Sequence, residues 1–171
     1  DAGSGTYRVN PNTTWAWNGS MEGNVLTYQQ MNRRGSDVLR YDIVAESKQA
    51  APAYVNTKWW EYAPTQSGSW TFFGRTNAGY GVKREWRKLL LINTTTGETR
   101  VLAKGPASAD FWPDQVNGLW AVWEDYKKTG WVVNLYDITG DVTTQIPQGA
   151  PDQYSAAVSS DGTMYYVRGG S

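Results

Sequence analysis

The side chains best able to recognise a ligand in this sequence are aromatic rings that stand close to charged residues. The chain contains ten tryptophans and eleven tyrosines but only three phenylalanines. An indole or phenol ring joins a large apolar body to a polar handle, which suits it to stacking on a sugar ring or anchoring a peptide. The predicted ligand-binding residues are Trp59, Trp60, Tyr80, Arg84, Trp86, Asp110, Trp112, Tyr126 and Tyr154.

Part of this set also has a purely structural interpretation. For Trp60 and Trp112, packing between neighbouring structural units is the more ordinary explanation of an aromatic residue. The basic stretch around Trp86, from Lys83 to Lys88, suits an acidic polysaccharide, a phosphate or an acidic partner, but it is also typical of a solvated loop. Four further tryptophans lie inside predicted strands and are interpreted as core residues: Trp70, Trp120, Trp123 and Trp131.

Catalysis has less support than binding. The chain has no histidine and no cysteine, which removes the commonest general base, the commonest zinc ligand and the thiolate nucleophile. A G-x-S-x-G motif is also missing from the sequence. The remaining candidates for an acid/base pair of the glycosidase kind are four carboxylates: Asp110, Asp114, Glu124 and Asp125. We therefore predict no catalytic residue, no metal site and no cofactor, and the sequence leans away from an enzyme.

Charge and composition restrict the partners and the compartment. Sixteen basic and sixteen acidic residues give a formal net charge of zero, whereas nucleic-acid-binding proteins usually have a basic excess. No apolar run approaches the roughly 18 residues of a membrane span. Few lysines, many Thr, Asn, Gly, Trp and Tyr residues, and no cysteine suit an exported protein. The sequence thus predicts an extracytoplasmic chain, secreted or periplasmic, that binds no nucleic acid.

The elements that must position these residues form a repeat. Four segments align at intervals of about 45 residues, each with the pattern strand, tight turn, strand. Asn117-Gly118 and Asp161-Gly162 are strong hairpin turns, because both positions tolerate a positive φ. A second hairpin follows in the first three units. The four turn glycines that define the alignment are Gly23, Gly68, Gly118 and Gly162.

A complete unit is thus a four-stranded meander of about 45 residues, the size of a propeller blade. Two stretches carry a more specific likeness: Ser160-Asp161-Gly162 in a first hairpin, and Leu135 to Gly140, which reads LYDITG, in a second. With these motifs the repeat resembles that of TolB-like (WD40-like) β-propellers, which also form non-catalytic domains of the prolyl oligopeptidase family. The resemblance implies an all-β fold built from four-stranded antiparallel blades.

The resemblance covers the chain as one propeller segment, 1–171. Blade-like repeats are expected at about 12–55, 56–105 and 106–150, with an incomplete one at 151–171. Tyr7 to Asn10 supply a strand for the last unit if the chain closes as a small four-bladed ring. The preferred alternative is an open arc of a larger propeller, whose exposed apolar faces and strand edges predict self-association or a companion segment.

The propeller resemblance also predicts where the candidate residues meet. Loops that lead into the first strand of a blade, and loops that join its second and third strands, share the face around the channel mouth. The longest loop of the second kind is expected between Thr76 and Trp86, and Tyr126 is expected in the equivalent loop of the third unit. The expected function is a non-catalytic binding module whose aromatic loops recognise a protein or an envelope or extracellular polymer at that mouth. The alternatives are a carbohydrate-binding or glycosidase propeller fragment, and the accessory propeller of a peptidase.

Overall fold

The computed structural model describes Val9 and residues 14–33, 35–128, 130–146 and 152–169. Within these ranges the chain is all-β, as predicted. Blade 1 consists of β1 (Ala16–Glu22), β2 (Val25–Asn32), β3 (Gly35–Asp42) and β4 (Ser47–Gln49). Blade 2 consists of β5 (Trp60–Ser67), β6 (Trp70–Thr76), β7 (Trp86–Asn93) and β8 (Thr99–Pro106). Blade 3 consists of β9 (Phe111–Asn117), β10 (Trp120–Lys127), β11 (Gly130–Asp137) and β12 (Val142–Gln145). Half-blade 4 consists of β13 (Gln153–Val158) and β14 (Met164–Arg168).

Each blade is an antiparallel meander whose strands lie in sequence order. The first-hairpin turns adopt the conformation that the glycines predicted: φ is 59° at Gly118 and 87° at Gly162. The second-hairpin turns are held by an acidic or amide residue at the end of the third strand, which accepts hydrogen bonds from backbone amides two and three residues ahead. These residues are Asp42, Asn93 and Asp137. Local side-chain chemistry therefore accounts for both turns of each blade.

The core is divided among the junctions between successive sheets. Residues alternate along the strands of blade 2, so that Phe72 packs toward blade 3 while Phe73 packs toward blade 1. The same alternation separates Leu89 and Leu91 from Leu90. A third cluster, which contains Val122 and Val133, joins blade 3 to half-blade 4. Because the middle sheets are covered on both faces, their inner strands carry continuous apolar stretches, such as Leu89–Ile92 of β7, rather than an alternating pattern.

The first strands of successive sheets lie side by side, joined by side chains rather than by a backbone ladder. At each junction a hydrogen bond runs from a backbone amide of the later first strand to a side-chain oxygen of the preceding sheet. Its length is 2.8–3.1 Å. The pairs are Ala63 with Gln29, Val116 with Thr65, and Val158 with Gln115. These bonds satisfy buried amides and fix the order blade 1, blade 2, blade 3, half-blade 4.

The described residues form an open arc. Extensive contacts between sheets join only chain neighbours in this part of the molecule. Apolar side chains are exposed on both end sheets, with Met21 51% exposed on β1 and Tyr165 64% exposed on β14. The strand expected from Tyr7 to Asn10 lies outside the described residues except for Val9, which has no regular structure. No helix long and apolar enough to cross a membrane occurs in the ranges given above.

Candidate functional site

The first strands begin, and the second strands end, at one end of the arc, which we call the mouth face. Trp60 opens β5 and Phe111 opens β9, while β6 ends at Thr76 before a nine-residue loop, 77–85, that leads into β7. This loop is the long connection that the sequence predicted between Thr76 and Trp86. The mouth face therefore collects the strand ends and loops that carry most of the predicted site residues.

A β-bulge in every first strand brings aromatic side chains into the mouth. The register of β1, β5 and β13 shifts directly after Trp17, Tyr62 and Tyr154. The residues that follow them, Asn18, Ala63 and Ser155, have positive φ values of 52°, 46° and 54°. In β9 the shift follows Trp112 by two residues. A bulge bends a strand and re-aims its side chains, so four aromatic residues occupy equivalent places around the mouth: Trp17, Tyr62, Trp112 and Tyr154.

Two of these rings and one arginine make a cluster between blades 2 and 3. The rings of Tyr62 and Trp112 meet edge to face, with centroids 5.2 Å apart. The Arg87 guanidinium lies 5.7 Å from the Tyr62 ring and 5.3 Å from the Trp112 ring, within the range of cation–π attraction. Asp110 receives a 3.0 Å hydrogen bond from the Trp112 indole and stands 3.8 Å from Arg87. The cluster thus presents a fixed cation beside a half-exposed indole.

This cluster forms one wall of a cavity of about 330 Å³, which we call the mouth cavity. Blade 1 supplies Trp17 and the amides Asn18 and Gln29, and blade 2 supplies Trp60. Burial is uneven among the aromatic residues: Tyr62 is 7% exposed, whereas Trp17, Trp60 and Trp112 are 37–40% exposed. Burial raises the pKa of Tyr62, with Arg87 opposing the effect, so its phenol is neutral. A cavity of this size, with aromatic walls and a few polar groups, is typical of a small-ligand site.

The predicted residues of the long loop form a separate group toward the rim. Trp59 contacts Tyr80 edge to face at 5.2 Å and Trp86 at 6.1 Å. Lys58 and Lys88 lie over the Trp59 and Trp86 rings at 4.6 and 4.7 Å. All three rings are half-buried. Much of their surface is therefore used to hold the loop against the start of β5, which leaves less of it for a ligand.

The other predicted residues do not join either group. Arg84 is exposed in the long loop, where its carbonyl accepts a 3.1 Å hydrogen bond from Asn77. Tyr126 was expected in the loop after β10 but belongs to that strand, because the ladder with β11 continues to Lys127; its ring meets Trp131 edge to face at 5.4 Å. Tyr154 is 40% exposed on half-blade 4.

Sequence reasoning missed Trp17, Tyr62 and Arg87. The two aromatic residues carry a usable signal, since Trp17, Tyr62 and Trp112 each precede the turn glycine of their blade by the same number of residues. Arg87 was included only within the basic stretch. Its role depends on a residue of the next blade, and nothing in the local sequence marks that contact.

The carboxylates considered for catalysis are used mainly in joining sheets. Glu124 accepts a hydrogen bond from the Ser155 amide, and Asp114 accepts one from the Ala156 amide. Asp125 pairs with Lys127 on the surface of β10. Within the described ranges no three acidic side chains are grouped so that they could hold a metal ion.

Four-stranded meanders that pack side by side through their first strands define a β-propeller, and the chain forms part of one. No protein-family model matches it, and no curated protein matches it. Among solved structures it is similar to TolB from Acinetobacter baumannii, with a TM-score of 0.67 at 11% identity. That match covers 95% of this chain and 40% of TolB.

Two enzymes have the same fold over part of their length. An oligogalacturonate lyase in complex with manganese matches with a TM-score of 0.54 at 12% identity, over 82% of this chain and 42% of the lyase. The tricorn protease matches with a TM-score of 0.52 at 13% identity, over 85% of this chain and 14% of the protease. At these identities the likeness shows the fold alone: a partial β-propeller similar to TolB, as the repeat predicted. The chain thus spans less than half the length of each of these propeller proteins.

Proposed function

We propose that the chain is a non-catalytic, extracytoplasmic binding module of the TolB-like propeller type. It recognises a protein or an envelope or extracellular polymer through the aromatic residues of its mouth face. One observation carries the proposal: Trp17, Trp60 and Trp112 stay 37–40% exposed around one cavity. Exposed apolar surface costs roughly 25 cal/mol per Å² relative to burial, and clusters of it mark binding sites.

The fold alone does not separate binding from catalysis, because two of the similar structures are enzymes and one fold carries many functions. The contacts of the acidic residues favour binding. Asp114 and Glu124 engage backbone amides of half-blade 4, which leaves them joining sheets rather than facing a substrate. The extracytoplasmic part of the proposal is supported by the composition, with abundant Trp and Tyr and no cysteine.

Retention on immobilised ligands tests the proposed site. The wild-type chain, Trp112→Ala and the control Tyr54→Ala are compared on a panel of extracellular polysaccharides, peptidoglycan and envelope proteins. Tyr54 is a suitable control because it is 63% exposed but lies beside Gly97 in the β7–β8 turn, away from the mouth face. We expect at least one ligand to retain the wild type and Tyr54→Ala but not Trp112→Ala.

Trp17→Ala serves as a second mouth variant if Trp112→Ala unfolds, since Trp17 lies on blade 1 and is 38% exposed. A panel on which no ligand separates the mouth variants from the Tyr54 control contradicts the proposal.

The exposed end sheets support a second part of the proposal, that the arc self-associates or packs against a companion segment. β14 has a free edge within the described chain, and Tyr165 and Val167 on it are 64% and 46% exposed. Light scattering after size exclusion measures the outcome. We expect a mass above the 19.1 kDa of one chain. A monodisperse monomer that stays soluble at high concentration contradicts self-association.

A further inference from the structure

The mouth cavity is one compartment of a longer groove that runs outward between blades 1 and 2. Two neighbouring cavities, of about 590 and 580 Å³, continue from it. Trp60 lines all three compartments. Trp17 is shared by the inner two, and Arg33 by the outer two. Shared walls of this kind make one open groove of three compartments, which suits an extended ligand better than a single small molecule.

The walls of the groove are flat aromatic faces with amides between them. Trp15, at the outer part, is 77% exposed and so presents most of its indole. Exposed amides accompany the indoles at Asn18 and Asn32. Among the described lining residues the aliphatic side chains are only Met31 and Ala78. Indole faces stack on the C–H face of a sugar ring, and amides bond to hydroxyls, whereas an apolar peptide anchor has little here to pack against.

The charge of the groove differs from that of the chain. The whole chain has a formal net charge of zero, but Arg33, Lys58 and Arg87 line the three compartments. No aspartate or glutamate is among their described lining residues. The acids close by are already engaged: Asp110 stands 3.8 Å from Arg87, and Asp37 accepts a 2.7 Å hydrogen bond from Asn32.

We propose that this groove binds a linear acidic oligosaccharide of the uronate type. Its sugar rings stack on Trp15, Trp17 and Trp60, and its carboxylates bond to Arg33 and Lys58, whereas Arg87 already faces Asp110. This inference deepens the proposed function and rests on it, since it names the polymer class for the same face. It follows from the combination of stacking surfaces with cations along a single groove. A neutral sugar would use only the rings, and an acidic peptide only the charges.

The direct test is calorimetric titration of the full chain, with tryptophan fluorescence recorded in parallel. The probes are a size-fractionated oligogalacturonide, its carboxyl-reduced neutral counterpart, and polyglutamate. We expect the oligogalacturonide to bind and quench fluorescence, and the neutral oligomer to bind about tenfold more weakly because it lacks charge-assisted hydrogen bonds. Polyglutamate is expected to bind weakly without quenching. Added salt should weaken binding of the acidic oligomer more than that of the neutral one.

Variants separate charge from stacking. Arg33→Gln should weaken binding of the oligogalacturonide about three- to tenfold and leave the neutral oligomer unchanged. Trp60→Ala should weaken both. Lys48→Gln is the matched control, because it also removes one positive charge at an exposed position, on β4. It should change the binding of neither oligomer. Arg33 lies exposed in the β2–β3 turn, so its replacement is expected to leave folding intact.

The outcomes distinguish this inference from the proposed function. Equal binding of acidic and neutral oligomers overturns the acidic preference but leaves a sugar-binding mouth. If neither sugar binds while another ligand still separates Trp112→Ala from Tyr54→Ala, the saccharide inference fails and the proposed function stands. If nothing separates those two variants, both fail.

Discussion

One junction of this propeller segment fully buries a carboxylate and another half-buries one, but only the first of these carboxylates meets a cation. Glu61 lies on β5 between blades 1 and 2, and its side chain is fully buried. Asp114 lies at the bulge of β9, facing half-blade 4. Both belong to first strands, near the mouth face, and both accept hydrogen bonds. The difference between them lies in the residues that stand opposite.

Glu61 is compensated at one oxygen only: its Oε1 atom meets a hydroxyl and a guanidinium, whereas its Oε2 atom has no hydrogen-bond partner among the described residues. Its carboxylate accepts hydrogen bonds from the Thr57 hydroxyl at 2.7 Å and from the Arg75 guanidinium at 2.8 Å. Arg75 donates a further bond to the Val55 carbonyl, in the segment that connects blade 1 to blade 2. Burial raises the pKa of Glu61, and the bonds from Thr57 and Arg75 oppose that effect. The ion pair therefore ties the connecting segment to the sheet at this junction.

Asp114 has an acid for a neighbour. Burial, followed by the charge of Glu124, raises the pKa of Asp114 to about 8, against one hydrogen bond from the Ala156 amide. Burial likewise raises the pKa of Glu124, with Asp110 adding to the effect and the Ser155 amide opposing it. The Asp114 Oδ2 atom has no hydrogen-bond partner among the described residues. The contrast teaches that burial alone does not decide what an acidic residue does at a blade junction. At the first junction a cation opposes the rise in the pKa of the acid, whereas at the other a second carboxylate adds to that rise.

The largest effect is expected from removing the cation of the first junction. Arg75→Met leaves Glu61 buried without its partner and should lower the free energy of unfolding by about 3–5 kcal/mol. The double variant Glu61→Leu/Arg75→Met replaces the pair with apolar groups of similar volume and should recover most of that loss. Urea unfolding at neutral pH measures both. If the single and double variants lost the same free energy of unfolding, the unpaired charge of Glu61 would not be the cause of the loss.

The second junction should respond to pH. Because burial raises the pKa of Asp114 from 3.8 to about 8, the folded protein keeps a proton that the unfolded chain has released. Its contribution to stability is complete at acid pH and is lost as the pH rises through 8. We expect a loss of about 2 kcal/mol between about pH 5 and pH 8, after allowance for partial exposure of the side chain.

Asp114→Asn removes the titrating carboxyl but leaves the Glu61–Arg75 pair unchanged. Any difference between the pH profiles of the variant and the wild type therefore comes from the second junction. The variant's free energy of unfolding should vary less over the same range of pH and should exceed that of the wild type at the alkaline end. Parallel pH profiles for the two proteins would contradict a protonated Asp114.

The smallest effect concerns the turns of the end sheets. Gly162 has a φ of 87°, and a Cβ atom placed there would lie 2.7 Å from the Trp120 ring of blade 3. Gly23, in blade 1, has a φ of 56° with no atom within 4 Å of such a Cβ. Gly23→Ala should cost about 1 kcal/mol from backbone strain alone, and Gly162→Ala about 1 kcal/mol more. Thermal unfolding compares them. Identical melting temperatures would show that half-blade 4 does not depend on the Trp120 contact.

Much of the fold was readable because its signals are local. Turn glycines, the acidic or amide residue that starts the turn of each second hairpin, and apolar runs such as Leu89–Ile92 each act within a few residues. They predicted the hairpins of all three blades and the two strands of half-blade 4. The prediction placed Tyr126 in a loop, but β10 continues to Lys127. The sequence did not show this, since the end of a strand depends on how far the neighbouring strand can pair.

The site was readable only in part. The repeat predicted the face on which Trp60, Asp110 and Trp112 lie, because strand order and turn position determine which loops share an end of a propeller. It did not reveal that Trp59, Tyr80 and Trp86 pack on one another, since their contact depends on how the long loop folds back.

By itself, then, the sequence determined the strands, their turns and the repeat, because these arise from backbone preferences and from side chains close along the chain. Only the tertiary structure decided which side chains meet on different strands, within one blade as well as between blades. Arg87 meets Trp112, Glu61 meets Arg75, and Asp114 meets Glu124. Those pairs join residues that are distant in sequence or lie on different strands. In a low-dielectric junction, the charge of the opposing group decides whether the rise in the pKa of a buried acid is opposed or increased.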